Sequence, residues 1–384
     1  MQKKVINRID RNLCRRLREA RQETGLSIRA VADKLPKRAA VSYVTLASYE
    51  KGESVPPVNV LAALADLYGR TLNWFLEDRD ALAGFRYRNM KSGVGVLDKK
   101  KFEATAAKWV DADLNLEKHL KQPLVRRIAE ISASSTIPSE TLAAMVRSEL
   151  EIADQAPIPN MVDVLETCAI RVLELRTSLP IDGAAAKRGN HFVLVLNPNV
   201  KGDRLRMNSA HELAHVLYDD CKNELCWSDN AVEKRAHEFA SSLLLPTSQL
   251  RMAFEGKSFL RLLQYKEKFG ISLSAMIYRA EKHKIIPSTT ARRLWIEMAK
   301  RGWKQDEPGY VWKDRAIRFE TLLDSAIQTR AMTWEEAERV TGIRQDQLRQ
   351  RLDEVFRNDG SESAAIGGDE AEAQIIRMTW NAVS

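Results

Sequence analysis

The chain has 384 residues, 44% of them hydrophobic, enough for two or three domains with cores of their own. No stretch approaches the roughly 20 apolar residues that span a bilayer, and the N-terminus lacks an apolar secretory core, so a cytoplasmic protein with no membrane association is expected. The net charge of +8 is uneven: residues 1–48 hold twelve Lys and Arg against four acids, which equals the excess of the whole chain. Concentrated positive charge on a small unit is the footprint of phosphate binding, although a charged run by itself is more often a solvated face. The pattern beneath the charge decides. "NLCRRLREARQETGLSIRAVADKLP" predicts two helices broken at Gly25, and "SYVTLASYEKG" a third that ends at Gly52. "SVPPVNVLAALADLYGRTLNWFL" supplies two more, with Leu61, Leu64, Ala65 and Leu67 inward and Trp74, Phe75 and Leu76 closing the core.

Residues 1–78 resemble the XRE-type helix-turn-helix of Cro and the phage repressors. The resemblance is carried by L-x-x-x-R at Leu17 and Arg21, the helix containing Ala32, S-Y-E-K-G at 48–52, and P-x-x-x-x-L-x-x-L-A from Pro56 to Ala65. One departure matters: where the family has a tight glycine turn between helices two and three, Pro36 to Ala40 fills a longer loop. The resemblance implies that Ser42 caps a recognition helix and that Tyr43, Val44, Thr45 and Ser48 face the major groove of double-stranded operator DNA. Lys37, Arg38 and Lys51 would touch phosphate rather than bases, while Leu46 and Tyr49 belong to the core. Such domains read paired half-sites, so a homodimer is expected. The bland reading of Tyr43 and Thr45 is that the longer turn rotates the helix and buries them.

Residues 79–155 are expected to be a linker and connecting helices. "FRYRNMKSGVGVLDKKK" is basic and contains glycine, as a linker that trails along DNA would. "KKFEATAAKWVDADLNLEKHL" is helical in period through Phe102, Ala106, Trp109 and Leu116, and "PSETLAAMVRSELEIAD" opens a further helix at Pro138 and Ser139. Beyond them, Ile170 to Leu175 and Phe192 to Leu196 are strand-like runs bounded by turn residues.

The run His211-Glu212-Leu213-Ala214-His215 carries the chemistry. Four residues of helix return to one face, so both imidazoles reach one ion, and Glu212 stands where it can take a proton from a water on that ion. The flanks make the run one amphipathic helix with Met207, Ala210, Ala214 and Leu217 on its apolar side. A catalytic zinc site takes three protein ligands and keeps a fourth position open. The next helix, "NAVEKRAHEFASSLLLP", offers Glu233 and His237 one turn apart on one face, and spacing alone does not choose between them.

"HELAH" followed by "EKRAHEFASSLLLP" resembles the ImmA/IrrE family of zinc metallopeptidases, with its HELGH and its E-x-x-A-N-x-F-A-x-x-L-L-M-P. The likeness extends over residues 156–285, through "PIPN", the "IDG" turn, "HFVLVLNPN" and the arginine of "DRLRMNSA". It implies a zincin-like domain in which His211, His215 and Glu233 hold Zn²⁺ and Glu212 is the catalytic base. His237 replaces the usual Asn, Ala214 the Gly and Leu245 the Met, and none of these changes removes a ligand. His237 keeps a possible place beside the ligands, and Tyr218 is a candidate donor to a developing oxyanion. Cys14, Cys168, Cys221 and Cys226 are too few and scattered for a disulfide framework, and the gap between Cys221 and Cys226 is not the usual zinc spacing.

Residues 286–357 are expected to form a helical C-terminal domain, whose Thr333 to Leu352 has a helix-turn-helix rhythm and an acidic face suited to an interaction or dimer element. From Asn358 a small, acidic tail to Ser384 is expected to be disordered, with "IIRMTWNAV" able to dock elsewhere. The fold class is therefore mainly α with a small β-sheet in the central domain (α+β). The functional expectation is a DNA-binding regulator that cleaves a partner regulator, such as a repressor or antitoxin, in a phage-related or toxin–antitoxin setting. The alternatives are a repressor or antitoxin whose zinc fold senses a ligand or stress and cuts nothing, and a structural zinc closed by His237 or Cys221.

Overall fold

The computed structural model describes residues 8–76, 80–88, 94–127, 136–218, 220, 230–255 and 258–361. It is mainly helical with one four-stranded sheet, and among the described residues no helix is long and apolar enough to cross a membrane.

The N-terminal unit is built from α1 (Arg8–Thr24), α2 (Ile28–Lys34), α3 (Tyr43–Lys51), α4 (Val58–Tyr68) and α5 (Leu72–Leu76). Gly25, at φ +70°, breaks α1 from α2, a conformation that glycine adopts without the Cβ penalty. Ser27 and Ser42 start α2 and α3, their side chains accepting from the amides of Ala30 and Thr45. The long loop between α2 and α3 folds into a 3-10 turn at Lys37–Ala39 and buries Ala39. Leu13, Leu17, Val31, Leu46, Leu64, Trp74 and Phe75 fill the core between the five helices.

The chain then runs through β1 (Leu82–Arg88), α6 (Val96–Leu120), α7 (Ser139–Glu149), α8 (Met161–Thr167), β2 (Arg171–Glu174), β3 (Gly183–Arg188) and β4 (His191–Leu196). The sheet order is β1-β3-β4-β2, with β2 parallel to β4 and the other pairs antiparallel. Side chains alternate across it: Val193 and Val195 of β4 join one core with α6, and Leu194 and Leu196 join another with the helices behind. This corrects the reading of "FRYR" as linker. Leu82, Phe85 and Tyr87 lie against the α6 core, so the stretch had apolar partners to bury, and its arginines face the other way. Helix α6 is also more than a connection. It packs against α1 of the N-terminal unit and against the sheet, and most of its middle is buried.

The central helices are α9 (Gly202–Leu217), α10 (Asn230–Leu244), α11 (Thr247–Phe254), α12 (Phe259–Phe269) and α13 (Leu273–Lys282). Arg206 of α9, fully buried, donates from one nitrogen to both Asp314 oxygens at 2.7 and 2.6 Å and from another to the Ile158 carbonyl at 2.6 Å. Arg147 and Arg279 close the C-terminal end of α10, donating to the carbonyls of Leu243 and Ser241 at 2.7 and 2.8 Å. The last helices are α14 (Ser288–Lys300), α15 (Arg318–Gln328), α16 (Trp334–Thr341) and α17 (Gln345–Ser361). A capping box of Thr333 and Glu336 opens α16, and Gly342 turns the chain into α17. The expected interaction element is packed within the chain: Ala337, Leu348 and Leu352 are buried in the α6 core. Helix α17 continues past Asn358 to Ser361, and the rest of the tail lies outside the described residues.

Candidate functional site

Helices α9 and α10 lie side by side beneath the sheet and bring His211, His215 and Glu233 together, with one ligand atom of each within 4.8 Å of the others. The two Nε2 atoms are 2.9 Å apart, and they stand 3.2 and 3.4 Å from the Glu233 oxygens. Tetrahedral ligands about 2.0–2.1 Å from a zinc ion have neighbours about 3.3 Å apart, so these spacings fit one ion. The Asp220 carboxylate lies 3.1 Å from His215 Nδ1 and is itself held by Arg235 at 2.6 Å, which turns His215 Nε2 toward the centre. Asp220 was missed in the sequence, because only the position of His215 at a helix end tells that a residue five places on folds back beside it.

Electrostatics favour the ligating forms of His211 and Glu233. Burial pushes the His211 imidazole down to about 3, so its lone pair is available across the neutral range. Burial alone would raise the Glu233 and Glu212 carboxyls. For Glu233 the hydrogen bonds from His211 and His215 and the charge of Arg88 outweigh it, and for Glu212 chiefly Arg88 does, so both lie below the usual range. Burial acts against a charged His215, but its bonds to Asp220 and Glu233 prevail and raise it.

Two arginines complete the centre, and no motif announced them. Arg86 Nη2 is 2.5 Å from Glu233 Oε1 and 3.1 Å from His215 Nε2. Arg88 Nε donates to Glu212 Oε1, and its Nη1 lies 3.3 Å from Glu233 Oε2. They stand on β1, more than a hundred residues ahead of their partners, so only the sheet pairing brings them here. His237 is the wall of the site, its ring edge-on to His211 at 4.3 Å, and burial lowers its basicity. It is not one of the three converging groups. Tyr218 is a correction: its hydroxyl donates to the Ile137 carbonyl at 3.0 Å and so is spent away from the ligands. Cys221 and Cys226 lie outside the described residues.

On the N-terminal unit, Tyr43 is exposed at 46%, which counters its burial by the longer loop, and Val44 beside it at 60%. Thr45 is half-buried, its hydroxyl 2.9 Å from that of Ser42, and Ser48 bonds the Ser54 hydroxyl. Lys37, Arg38 and Lys51 are exposed around the same helix. Arg29, not singled out in the sequence, lies over the Tyr43 ring at 4.8 Å and adds a charge to that face.

Residues 12–75 match the helix-turn-helix domain family, and residues 168–281 match the IrrE N-terminal-like domain family. The chain joins a helix-turn-helix domain to an IrrE-like domain. Its N-terminal part is also similar to the HTH-type transcriptional regulator DdrOP3 of Deinococcus deserti, with 40% identity over 65 residues. That likeness takes in 17% of this chain and 47% of the relative, so the chain spans about half the length of the curated relative it matches. The IrrE-like domain thus contributes a metallopeptidase-like fold with three groups placed to hold a metal, and the helix-turn-helix domain leaves Tyr43 and Val44 of α3 exposed.

Proposed function

We propose that the chain is a DNA-binding transcription regulator whose IrrE-like domain is a zinc peptidase acting on a partner regulator, a repressor or antitoxin. The observation that carries this reading is the convergence of His211, His215 and Glu233 with Glu212 buried beside them. The three residues would hold Zn²⁺, which when bound supplies Lewis acidity to a water and to the scissile carbonyl. Asp220 keeps His215 oriented, and Glu212, ionised in the neutral range, accepts the proton of the attacking water on its carboxylate. The same carboxyl then returns the proton to the departing amine. His237, packed on the His211 ring, would limit how a substrate approaches the centre.

For DNA, the exposed faces of Tyr43 and Val44 with Thr45 and Ser48 behind them would enter the major groove, while Lys37, Arg38 and Lys51 take phosphates. A homodimer would present two such helices to paired half-sites. One observation favours a second reading, a sensor that cuts nothing: Arg88 already pairs with the base, Glu212. Zinc content of the purified chain tests the centre, with about one ion expected in the wild type and loss in Glu233→Ala. Incubation with its partner regulator then separates the readings. Cleavage that Glu212→Gln abolishes with operator binding kept supports the peptidase, and unchanged regulation by Glu212→Gln supports the sensor.

A further inference from the structure

A site for metal-assisted hydrolysis needs an ion and a base, and here one strand engages the groups for both. Arg86 of β1 touches two of the three candidate metal ligands, Glu233 and His215, and Arg88 touches the base Glu212 and the far oxygen of Glu233. A small hollow lined by Gly84, Arg86, Ala185, Phe192 and Glu212 lies between this strand and the base. On the facing strand β3, Ala185 and Gly183 are the register partners of Arg86 and Arg88, so no large side chain stands beside either arginine there.

The aim of the two arginines comes from a bulge. The register of β1 on β3 runs Leu82↔Arg188 and Ala83↔Lys187, then shifts before Arg86↔Ala185 and Arg88↔Gly183. Leu82 and the pair Phe85 and Tyr87 lie on the same α6 face although Phe85 comes three positions after Leu82. In an unbroken strand that spacing would put them on opposite faces. One extra residue, with Gly84 at φ +69°, resets the alternation and turns Arg86 and Arg88 toward the ligands. The strand is an edge strand, and its seven residues are half-buried or exposed.

We propose that β1 is an intramolecular plug of the IrrE-like centre. It fills the β3 edge, and its Arg86 occupies the ligand atoms that a metal needs, so that metal loading and the Arg86 interactions exclude each other. A guanidinium and a divalent cation repel strongly at such short range, so the ion and Arg86 cannot share Glu233 Oε1 and His215 Nε2. An extended segment of a partner protein, adding as a strand to the edge that β1 vacates, is the occupant that fits the opened site. Because β1 follows directly on the helix-turn-helix domain, the plug also ties that domain to the centre.

The inference rests on the metal reading above, and its test tells the two apart. Zinc affinity of the full chain is measured by competition with a chromophoric chelator, in the wild type and in Arg86→Gln. The variant is expected to bind zinc at least about tenfold more tightly, because a competitor of the ligands is gone. Hydrogen exchange of the amides of residues 82–88 is expected to speed up when zinc is added to the wild type. Equal or weaker zinc binding by Arg86→Gln, with β1 amides equally protected with and without zinc, would show Arg86 to be a support of the ligands and overturn the plug. Failure of both proteins to bind zinc would overturn the metal reading and the plug with it. Should Arg86→Gln not fold, Arg86→Lys, which keeps the charge but not the fork, is expected to tighten zinc binding by a smaller factor; no tightening there counts against the plug equally.

Discussion

Asp220 decides which nitrogen of His215 faces the centre, and it does so from outside the motif. Its carboxylate lies on Nδ1, so Nε2 keeps the lone pair a metal takes. Asp220→Ala is expected to lower zinc affinity by about 10–100-fold in a chelator competition, as loss of such partners does elsewhere. An unchanged affinity would assign the Asp220–Arg235 pair to holding the loop alone. A second residue makes stability depend on pH. Burial raises the Glu166 carboxyl on α8 to about 7, against an ordinary value of 4.5. Because the folded value lies above the unfolded one, the contribution is fully present below about pH 4.5 and is lost as pH rises through 7. Glu166→Gln removes the cost of a buried charge, at most about 3 kcal/mol. Its unfolding temperature is therefore expected to exceed that of the wild type at pH 8 and to match it at pH 4. A gain of equal size at both pH values would show that packing, not ionisation, sets the effect. The same scale shows what the sequence could carry: His211 and His215 are legible because a helix brings residues four apart to one face. Glu233 needed a resemblance to prefer it over His237, and Arg86 and Arg88 needed the tertiary fold, since their charge reads equally well as solvent-facing.

At the scale of elements, legibility follows how much of the partner lies nearby in the chain. The capped helices α2 and α3 announce themselves, with Ser27 and Ser42 accepting from amides three residues on. Strand β4 shows its buried run, but β1 and β3 do not: β1 breaks its alternation at the Gly84 bulge, and half of β3 is alanine, a poor strand former by itself. Close backbone approach is likewise invisible until the fold is seen. Gly202, at the start of α9, lies so near the loop above it that an added Cβ would stand 2.2 and 2.3 Å from the carbonyl oxygens of Val311 and Trp312. Backbone cannot swing aside as a side chain does, so Gly202→Ala must shift either α9 or that loop. A loss of roughly 3 kcal/mol or more is expected in denaturant unfolding, in the range of other overpacking changes. Because α9 carries both histidines, zinc affinity should fall with it. Gly302 gives the contrast, since a Cβ there meets nothing within 4 Å and only its φ of +72° resists. Gly302→Ala is expected to cost about 1 kcal/mol and to leave zinc binding as it was. Similar losses at the two glycines would mean that backbone conformation, and not the approach of Val311 and Trp312, governs Gly202.

Across the whole molecule, the charge that reads as a DNA footprint divides into two populations. Arg16 is fully buried, pairs with Asp111 of α6 at 3.5 Å and lies over the Trp74 ring at 4.6 Å. Asp111 also accepts from Trp74 Nε1 at 3.2 Å and pairs with Arg188 of β3, so one carboxylate joins the helix-turn-helix domain to the sheet of the IrrE-like domain. Arg21 is held in the same way by Glu50, at 2.5 and 2.8 Å. These arginines hold the domain together and to its neighbour, whereas Lys37 and Arg38 point to solvent beside α3. A count of basic residues in the sequence cannot make that division, because Glu50 and Asp111 reach their partners only through tertiary packing. Salt dependence of DNA binding separates the two populations. A side chain that neutralises one phosphate adds about 0.9 to the steepness of log affinity against log salt. Lys37→Ala and Arg38→Ala are therefore expected to flatten the slope by about one each and to leave the unfolding temperature nearly unchanged. Arg16→Ala, which removes a buried side chain from the Trp74 ring while Asp111 keeps Arg188 and Trp74, is expected to cost about 1–3 kcal/mol of stability and to leave the slope as it was. If Arg16→Ala instead flattened the slope as Lys37→Ala does, Arg16 would be meeting phosphate. The domain would then have to leave α6 when it binds DNA, breaking the Asp111 junction in doing so.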